Sequence, residues 1–374
     1  MSGEKLGTLR VSGVLDGLLK ELLQRGGSDL LIAAGYPPAM RIHGMLVKTN
    51  HPLSDPDEVE GILSSILSDS EQEFFRQQQD MDFAYQIEIP GQGAFRFRAN
   101  AFIQRFGCSL VFRSIPREIP TMAQLGLPDE LTRLMDFHQG LVMVTGPTGS
   151  GKTSTVAALV DYCNRTRPQN IITLEDPIEF VHPIKKSLVV QRQVGLHVDS
   201  YNNALRAALR EDPDVIVVGE LRDLETISLC ITAAETGHLV VATMNTMSGA
   251  QTVNRIINAF PPRQQSQVRI MLSESLRGVI SQQLLARSDG RGRVAAVEIL
   301  ITTGATSNLI RENKMHQVAS IMQTGSRKGM RSMDHSLLEL VQNRQVKVQE
   351  AIDRAHDRAS FMQAASEFTG GQAV

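Results

Sequence analysis

A glycine-rich stretch near the middle of the chain has the residue types and the spacing of a phosphate-binding loop. Residues 146–153 read Gly-Pro-Thr-Gly-Ser-Gly-Lys-Thr and match the pattern G-x-x-x-x-G-K-[ST]. The glycines let backbone N–H groups turn towards a β-phosphate, while the lysine and the threonine suit the β/γ-phosphates and Mg²⁺. We therefore predict a site for ATP and Mg²⁺, and we assign nucleotide binding to Gly146, Pro147, Thr148, Gly149, Ser150, Gly151, Lys152 and Thr153.

The segments on either side favour a real phosphate site over a glycine-rich turn without a ligand. Residues 141–145 form an apolar run of the buried-strand type, and residues 153–162 have helical spacing. A helix that begins at the loop adds the partial positive charge of its N-terminus to the phosphate site. In this arrangement Lys152 is predicted to reach the β/γ-phosphates, and the Thr153 hydroxyl is predicted to ligate Mg²⁺.

An acidic turn follows the next predicted strand, at 171–175. Glu175, Asp176 and Glu179 lie at or just after its end, and Pro177 stops the strand and fixes the turn. Hydrolysis of ATP needs a base or a water-positioning group opposite the γ-phosphate. Glu179 is our first candidate for this role and Glu175 the second. The alternative is a solvated acidic turn without a catalytic role.

A third predicted strand, at 215–218, leads into the carboxylate of Glu220. An apolar strand that ends in an acidic residue is the Walker B pattern, in which the carboxylate contacts Mg²⁺ or its bound water. We predict this role for Glu220, and we expect Gly219 to let the backbone come close. The alternative is a structural strand with a surface glutamate.

The fourth predicted strand, at 239–243, lies between two polar candidates, His238 and Asn245. A polar residue that follows this strand can sense the γ-phosphate. For His238 the alternative is a packed, hydrogen-bonded core histidine, and no second histidine is placed to form a metal site with it.

Three arginines upstream are candidates for arginine fingers. Arg96 and Arg98 share one face of a predicted strand, and Arg113 ends the strand that follows. An arginine finger must come from outside the phosphate loop, so these side chains could act across a subunit boundary. The alternative is salt bridging at the surface.

The composition bounds the classes of function. The chain has 374 residues, 42% hydrophobic and 21% charged residues and a formal net charge of −2, which is typical of a globular protein of about two domains. A nucleic-acid motor needs a basic channel with stacking aromatic residues. Aromatic content is only 5% and tryptophan is absent, so we predict no nucleic-acid partner.

The cysteines and the apolar runs favour a cytoplasmic protein. Cys108, Cys163 and Cys230 are widely spaced and form no C-x-x-C pair, and free thiols fit a reducing compartment. The first residues lack the apolar core of a signal peptide, and no apolar run approaches the roughly 18 residues that span a bilayer. We therefore expect no direct membrane insertion and membrane association only through a partner.

Two domains of different type must position these candidates. We predict an α+β domain over 1–116, a linker over 117–120, a core over 121–300 and a helical region over 301–374 with a frayed tail. Strands alternate with helices in the core, which favours a mostly parallel sheet with ligands beyond the carboxyl ends of the strands. The elements predicted for the first domain are helices at 14–27 and 55–79 and strands at 28–32, 40–47, 81–89, 94–102 and 108–112. The strands predicted for the core lie at 141–145, 171–175, 215–218, 239–243 and 294–300.

Several of these stretches together resemble the secretion and type IV pilus ATPases, the PilT/GspE/VirB11 group of RecA-like motors. The resemblance runs from Ser28 to about Ala355, and it rests on the phosphate loop and on residues 174–180, 204–214, 219–226 and 233–238. The extension and type II secretion ATPases usually carry a further N-terminal domain and a tetracysteine zinc motif. This sequence has only three cysteines, and we expect no further domain of that kind. The resemblance therefore favours the retraction branch.

The resemblance implies an N-terminal PAS-like domain, a C-terminal RecA-like domain and a ring-shaped homohexamer with nucleotide between the domains. It implies an ATPase that powers pilus retraction and twitching motility by moving a pilus platform protein at the cytoplasmic face of the inner membrane. It favours Glu179 as the general base and His238 as part of the family's histidine box. It also favours Arg98 and Arg113, ahead of Arg96, as fingers from the N-terminal domain.

The chain departs from this family at two places. Asn245 stands where the family usually has a second histidine, and an amide forms hydrogen bonds but does not titrate near neutral pH. Residues 305–312 keep most of a motif of the retraction ATPases, while residues 329–334 are also similar to their accessory paralogue. Arg210 and Arg222 match family arginines near the site. Two interpretations follow: a retraction motor, or an accessory nucleotide-binding subunit with weak ATPase activity that works with a paralogous motor.

Overall fold

Two compact units make up the described part of the chain. The computed structural model describes residues 5–42, 44–52, 54–115 and 117–368. The first unit comprises the described part of Met1–Glu118 together with Pro177–Phe180, and the second comprises Ile119–Asp176 and the described part of Val181–Val374. Pro116, at the expected domain boundary, and the expected tail beyond residue 368 lie outside the described residues.

The first unit is a six-stranded sheet with helices packed against it. Its elements are α1 (Lys5–Gln24), β1 (Gly27–Ala33), β2 (Ala39–Ile42), β3 (Met45–Lys48), α2 (Pro56–Ile66), α3 (Asp69–Gln78), β4 (Asp80–Ile89), β5 (Gly93–Gln104) and β6 (Gly107–Ile115). The strand order is β3-β2-β1-β6-β5-β4, and every neighbouring pair is antiparallel. The predicted α+β character of this part is therefore present.

Leucines at helical spacing bury one side of α1. Leu15, Leu18, Leu19 and Leu22 recur every three or four residues and are no more than 1% exposed. They join a core that contains Phe97 and other inward side chains of the strands. Burial of this stripe, worth about 1.5–3 kcal/mol for each leucine, holds α1 on the sheet.

Two predicted elements of this unit are each divided in the structure. The strand predicted at 40–47 is the antiparallel hairpin of β2 and β3, which turns at Gly44 with a φ of 84°. The helix predicted at 55–79 is two helices, because Ser68 is extended and forms a capping box with Glu71. Apolar periodicity runs across this break, so it concealed the second helix start.

The second unit is organised around a seven-stranded sheet. Its helices and strands are β7 (Gly140–Thr145), α4 (Lys152–Thr166), β8 (Asn170–Glu175), β9 (Leu188–Gln193), α5 (Tyr201–Ala208), β10 (Val215–Val218), α6 (Leu224–Glu235), β11 (Leu239–Met244), α7 (Gly249–Asn258), α8 (Pro262–Ser275), β12 (Leu276–Ala286), β13 (Arg293–Ile301), α9 (Gly304–Arg311), α10 (Val318–Thr324), α11 (Met333–Gln342), α12 (Val348–Ile352) and α13 (Arg358–Phe368). Short 3₁₀ helices lie at Asp129–Asp136, Met315–Gln317 and Ser326–Lys328.

The strand order of this sheet is β13-β12-β7-β11-β10-β8-β9. All neighbours are parallel except β12 and β13, which form an antiparallel pair at one edge. The predicted α/β class with a mostly parallel sheet and C-terminal helices is confirmed. The strand predicted at 294–300 exists as β13, but it runs against the others because it returns directly from β12 through a hairpin.

Two strands were not predicted. β9 lies at the open edge and mixes apolar with polar residues, so it lacks the continuous apolar run of a buried parallel strand. β12 is nearly all buried, but Gly278 and the polar triplet Ser281–Gln283 interrupt its apolar pattern. Both strands therefore depart from the hydrophobic pattern that identifies the other five.

Both faces of the central strands are buried, as expected for a parallel sheet covered by helices. Along β7, Leu141 and Met143 join one apolar core, whereas Val142 and Val144 join the core on the opposite face. The sheet is thus held rigidly between two helical layers, and the residues that follow its strands have a fixed frame. In the described part of the chain, no helix has the length and apolar character needed to cross a membrane.

Candidate functional site

Glycine is required where β7 turns into the phosphate loop. Gly146 has a φ of 145°, and a Cβ there would lie 2.2 Å from the carbonyl oxygen of Gln282. Gly151, the residue before α4, has a φ of 89° in the left-handed region. The loop therefore folds tightly against β12 and delivers Lys152 and Thr153 to the first turn of α4.

A polar segment of β12, which was not predicted, holds the phosphate loop and the start of α4 through hydrogen bonds. Gln282 is 2% exposed, donates a 2.5 Å hydrogen bond to the Ser150 carbonyl and accepts one of 2.8 Å from the Thr155 hydroxyl. The hydroxyls of Ser281 and Thr145 are 2.8 Å apart. The signal in the sequence was a set of polar residues inside an otherwise apolar run, because buried amides are usually hydrogen-bonded to another polar group.

Lys152 is half-buried and turned towards the loop and β11. Its Nζ donates hydrogen bonds to the carbonyl oxygens of Gly146 (2.9 Å) and Pro147 (3.1 Å) and to Asn245 Oδ1 (2.7 Å). Burial lowers the pKa of Lys152, and the nearby negative charge of Glu220 opposes that shift. The ammonium group is thus held by neutral oxygens that a phosphate can replace.

Glu220 lies just beyond β10, and two side chains hold its carboxylate. Asn245 donates a 2.5 Å hydrogen bond to Oε1, while the guanidinium of Arg222 binds Oε2 through Nε at 2.8 Å and through a second nitrogen at 2.7 Å. Asn245 follows β11, the strand beside β10 and β7. The structure therefore connects Lys152, Asn245 and Glu220 at the carboxyl edge of the sheet.

Gly219, directly before Glu220, lets the hydroxyl of Tyr201 come close to the backbone. A Cβ at residue 219 would lie 2.6 Å from the hydroxyl of Tyr201, which begins α5. Burial raises the pKa of Tyr201, and the negative charge of Asp176 adds to the shift, so the phenol stays neutral. Tyr201 was not predicted; no motif marks it, because only the fold brings α5 against the end of β10.

Glu175, the second candidate base, is the last residue of β8 and has defined partners. The Thr173 hydroxyl and the Gln191 amide donate to its Oε1 at 2.6 and 3.0 Å. Glu179, the first candidate, belongs to the segment Pro177–Phe180, which is part of the first unit. Its role as base stays a prediction.

His238 lies at the amino end of β11, whereas the phosphate loop lies at the carboxyl ends of the parallel strands. It precedes β11, and its carbonyl accepts a 3.0 Å hydrogen bond from Gly140 at the start of β7. Its ring Nδ1 lies 3.1 Å from the Ala233 carbonyl. About 20 Å of strand therefore separates His238 from the loop of its own chain, and its contacts are those of the packed, hydrogen-bonded alternative.

The candidate finger arginines lie together on the first unit. Arg98 of β5 and Arg113 of β6 are directly opposite each other in the strand register, and Arg96 precedes Arg98 by two residues. Arg98 pairs with Asp82 at 3.2 Å, and Arg113 pairs with the buried Asp29 at 2.8 Å. Within one chain Arg98 and Arg113 therefore form salt bridges, which was the alternative to a role as arginine fingers. Their action on a nucleotide stays a prediction.

The residues around the loop fit a nucleotide with Mg²⁺. The Ser150 hydroxyl is buried without a hydrogen-bond partner inside the loop, and Gly149 has open space beside its Cα. No group of three or more His, Cys, Asp or Glu residues that could hold a metal occurs within the described ranges. Thr153 and Glu220 carry the oxygen ligands that would hold a cation here together with phosphate oxygens.

The family model for type II/IV secretion system proteins matches residues 5–365. The chain belongs to this family. The resemblance inferred from the motifs is thereby confirmed. In Pseudomonas aeruginosa, the type IV pilus retraction ATPase PilT is 47% identical over 344 residues, which are 92% of this chain and 98% of that protein. The type IV pilus ATPase PilU of the same organism is 36% identical over 354 residues, or 94% of this chain and 91% of that protein.

A solved member of the same family has the fold of both units. The crystal structure of the pilus retraction motor PilT with bound ADP aligns with a TM-score of 0.85 and 44% sequence identity. The alignment covers 92% of this chain and 98% of that one. The predicted two-domain ATPase fold, with its PAS-like and RecA-like parts, agrees with this match.

Proposed function

We propose that this chain is an ATP-hydrolysing motor subunit that powers the retraction of type IV pili. The observation that carries the proposal is the connected set of Lys152, Asn245 and Glu220 beside a phosphate loop at the carboxyl edge of the sheet. Ligands of parallel α/β sheets bind at this edge. The similarity to a retraction ATPase along nearly its whole length supports the coupling of hydrolysis to pilus disassembly and twitching motility.

The loop residues hold the triphosphate in this proposal. Lys152 exchanges its carbonyl partners for β- and γ-phosphate oxygens, and backbone N–H groups of the loop face the β-phosphate. Thr153 and Glu220 would hold Mg²⁺, directly or through water. The cation neutralises charge on the phosphate oxygens when it is bound.

Two further sets of groups complete hydrolysis. Glu179, or Glu175 if Glu179 is not the base, orients the attacking water and takes its proton. Arg98 and Arg113 of the N-terminal domain neutralise charge that develops on the γ-phosphate. In this proposal they act across a subunit boundary, so the complete centre requires a second subunit.

The working assembly in this proposal is a homohexamer at the cytoplasmic face of the inner membrane. ATP closes an N-terminal domain, residues 1–116, on a core of residues 121–300 across the linker 117–120, and hydrolysis releases it. Sequential closure round the ring moves a pilus platform protein. The helical region of residues 301–374 follows the core. His238 supports the amino edge of β11 in this scheme rather than the phosphates of its own chain.

The first test is steady-state phosphate release by the purified protein with Mg²⁺ and ATP. Lys152→Ala and Glu220→Gln are expected to lower kcat at least about 100-fold, because each removes charge compensation at the reacting phosphates. Lys314→Ala, which breaks a 2.7 Å surface pair with Glu312, is the matched control and keeps wild-type turnover. Undiminished turnover in Lys152→Ala would refute the site, and normal hydrolysis by Glu179→Gln would transfer the base role to Glu175.

A second candidate function is an accessory nucleotide-binding subunit that works with a paralogous motor. Asn245 favours it, because the family resemblance implies a histidine at this position, and the similarity to PilU adds support. A large gain in turnover for Asn245→His would support the accessory role. A deletion strain separates the pathways: excess pili without twitching support retraction, whereas bald cells point to assembly.

A further inference from the structure

The carboxylate of Glu220 is held from two sides by side chains of its own chain. Asn245 occupies Oε1 at 2.5 Å, and the fork of Arg222 occupies Oε2 through two nitrogens at 2.8 and 2.7 Å. A carboxylate offers about four lone-pair positions, and this geometry uses three of them. A cation that approaches Glu220 therefore meets an existing counter-ion.

The two partners of this pair differ in how firmly the fold holds them. The side chain of Glu220 is 22% exposed, whereas that of Arg222 is 68% exposed. Both residues lie in the segment between β10 and α6, so the difference between them is the exposure of their side chains. The arginine is thus the partner that can leave, and an exposed ion pair of this kind contributes only about 0.2–1 kcal/mol.

Negative charge remains near Arg222 once it leaves Glu220. The carboxylate of Asp176 and the hydroxyl of Tyr201 lie within electrostatic reach of its guanidinium. Asp176 directly follows Glu175 at the end of β8, the strand that flanks β10. A guanidinium displaced from Glu220 therefore remains compensated by charge at the same edge of the sheet.

The clamp is also connected to the phosphate loop. Lys152 donates to Asn245 Oδ1 at 2.7 Å, and the same amide donates to Glu220. A phosphate that draws Lys152 away leaves Asn245 without this partner and free to move. Nucleotide binding and release of Glu220 are therefore linked through one side chain.

We propose that Arg222 is a positioning residue that neutralises Glu220 and competes with Mg²⁺ for its carboxylate. This inference rests on the proposed function, because it takes Glu220 as a group that receives the cation with ATP. Arg222 keeps the carboxylate aligned and screened until phosphate and cation arrive together. The subunit thereby disfavours Mg²⁺ without nucleotide.

The test measures nucleotide binding rather than turnover. Affinity for a fluorescent ATP analogue is titrated against MgCl₂ concentration for the wild-type protein, Arg222→Gln and Arg222→Lys. Competition predicts that Arg222→Gln lowers the MgCl₂ concentration at half-effect about two- to fivefold, since the lost pair no longer opposes the cation. Arg222→Lys keeps the positive charge but not the two-nitrogen contact. Its MgCl₂ concentration at half-effect is therefore expected to lie between those of the wild-type protein and Arg222→Gln.

Arg287→Gln is the matched control. Arg287 binds the carboxylate of Asp289, also two residues away, through two nitrogens at 3.1–3.3 Å on the β12–β13 hairpin. It removes the same charge at another place, so it leaves the MgCl₂ dependence unchanged. Affinity measured in EDTA is expected to stay within twofold for all variants, because the loop contacts persist.

Three outcomes decide the matter. A lowered half-effect concentration in Arg222→Gln alone supports competition. An unchanged or raised concentration, with wild-type binding intact, overturns the inference and leaves the ATPase assignment standing, since Arg222 would then assist the cation or ignore it. Failure of the wild-type protein to bind the analogue overturns both proposals. Thermal melting without ligand confirms that each variant is folded.

Discussion

Asn245 donates a 2.5 Å hydrogen bond to Glu220 Oε1 while it accepts one of 2.7 Å from Lys152. A primary amide can serve a cation on one side and a carboxylate on the other, because it carries both an acceptor oxygen and a donor nitrogen. It does so without a titration near neutral pH. The amide at residue 245 therefore makes this bridge without a pH dependence of its own.

This bridge predicts how a histidine at residue 245 would behave. In Asn245→His, a neutral imidazole can accept from Lys152 and donate to Glu220, but the protonated ring loses its acceptor and repels the ammonium group. We expect ATPase activity of this variant to fall as the pH drops through about 6.5, the ordinary pKa of histidine. Asn245→Gln is the control without this inflection. Superimposable pH–rate profiles for the histidine variant and the wild-type protein would contradict the bridge.

Gln282 predicts a coupling between β12 and the phosphate loop. Gln282→Leu keeps the side-chain volume but leaves the Ser150 carbonyl and the Thr155 hydroxyl without their buried partner. We expect a loss of about 2 kcal/mol in the free energy of unfolding, measured with urea, together with weaker ATP binding. Adding Thr155→Val removes one orphaned hydroxyl and should recover part of the loss. Strictly additive single effects would show that this contact does not couple the two residues.

The sequence predicted the fold class and the edge of the sheet where polar side chains gather, because both follow from local rules. Buried strands are short apolar runs, and the ends of parallel strands share an edge. That reasoning brought together the residues after β7, β10 and β11, and the structure joins Lys152, Glu220 and Asn245 by hydrogen bonds. The same rules failed for β9 and β12, whose polar residues break the pattern.

Contacts between distant segments were beyond the sequence. Tyr201 approaches Gly219 only because α5 packs at the end of β8 and β10, and Gln282 meets Ser150 across 132 positions of chain. His238 shows the converse limit. Its distance in sequence from Asn245 is small, but a strand of six residues, β11, separates the two and places them at opposite edges of the sheet.

Substitutions at two glycines of the loop measure the cost of a steric clash and the cost of backbone strain separately. At Gly146, with a φ of 145°, an added Cβ would lie 2.2 Å from the Gln282 carbonyl, whereas at Gly149, with a φ of 78°, nothing lies within 4 Å. We expect Gly146→Ala to lower stability by more than about 3 kcal/mol and to abolish ATP binding. Gly149→Ala carries only left-handed strain of about 1–2 kcal/mol. Equal losses in urea unfolding would exclude the clash as the cause.

His182 predicts that the second unit weakens in mild acid. Burial lowers its pKa from 6.5 to about 4, against the opposing charge of Asp161 and with help from Lys185, and its Nδ1 is buried without a partner. Between these two pH values the unfolded chain binds a proton that the folded chain excludes, so stability falls as pH drops from about 6.5 and is unaffected above that. We expect this residue to account for a loss of about 2.5 kcal/mol in the free energy of unfolding between pH 6.5 and 4. In urea unfolding across this range, His182→Gln should show a shallower decline than the wild-type protein, while the exposed His138→Gln should retain the full slope; parallel slopes for all three proteins would remove His182 as the cause.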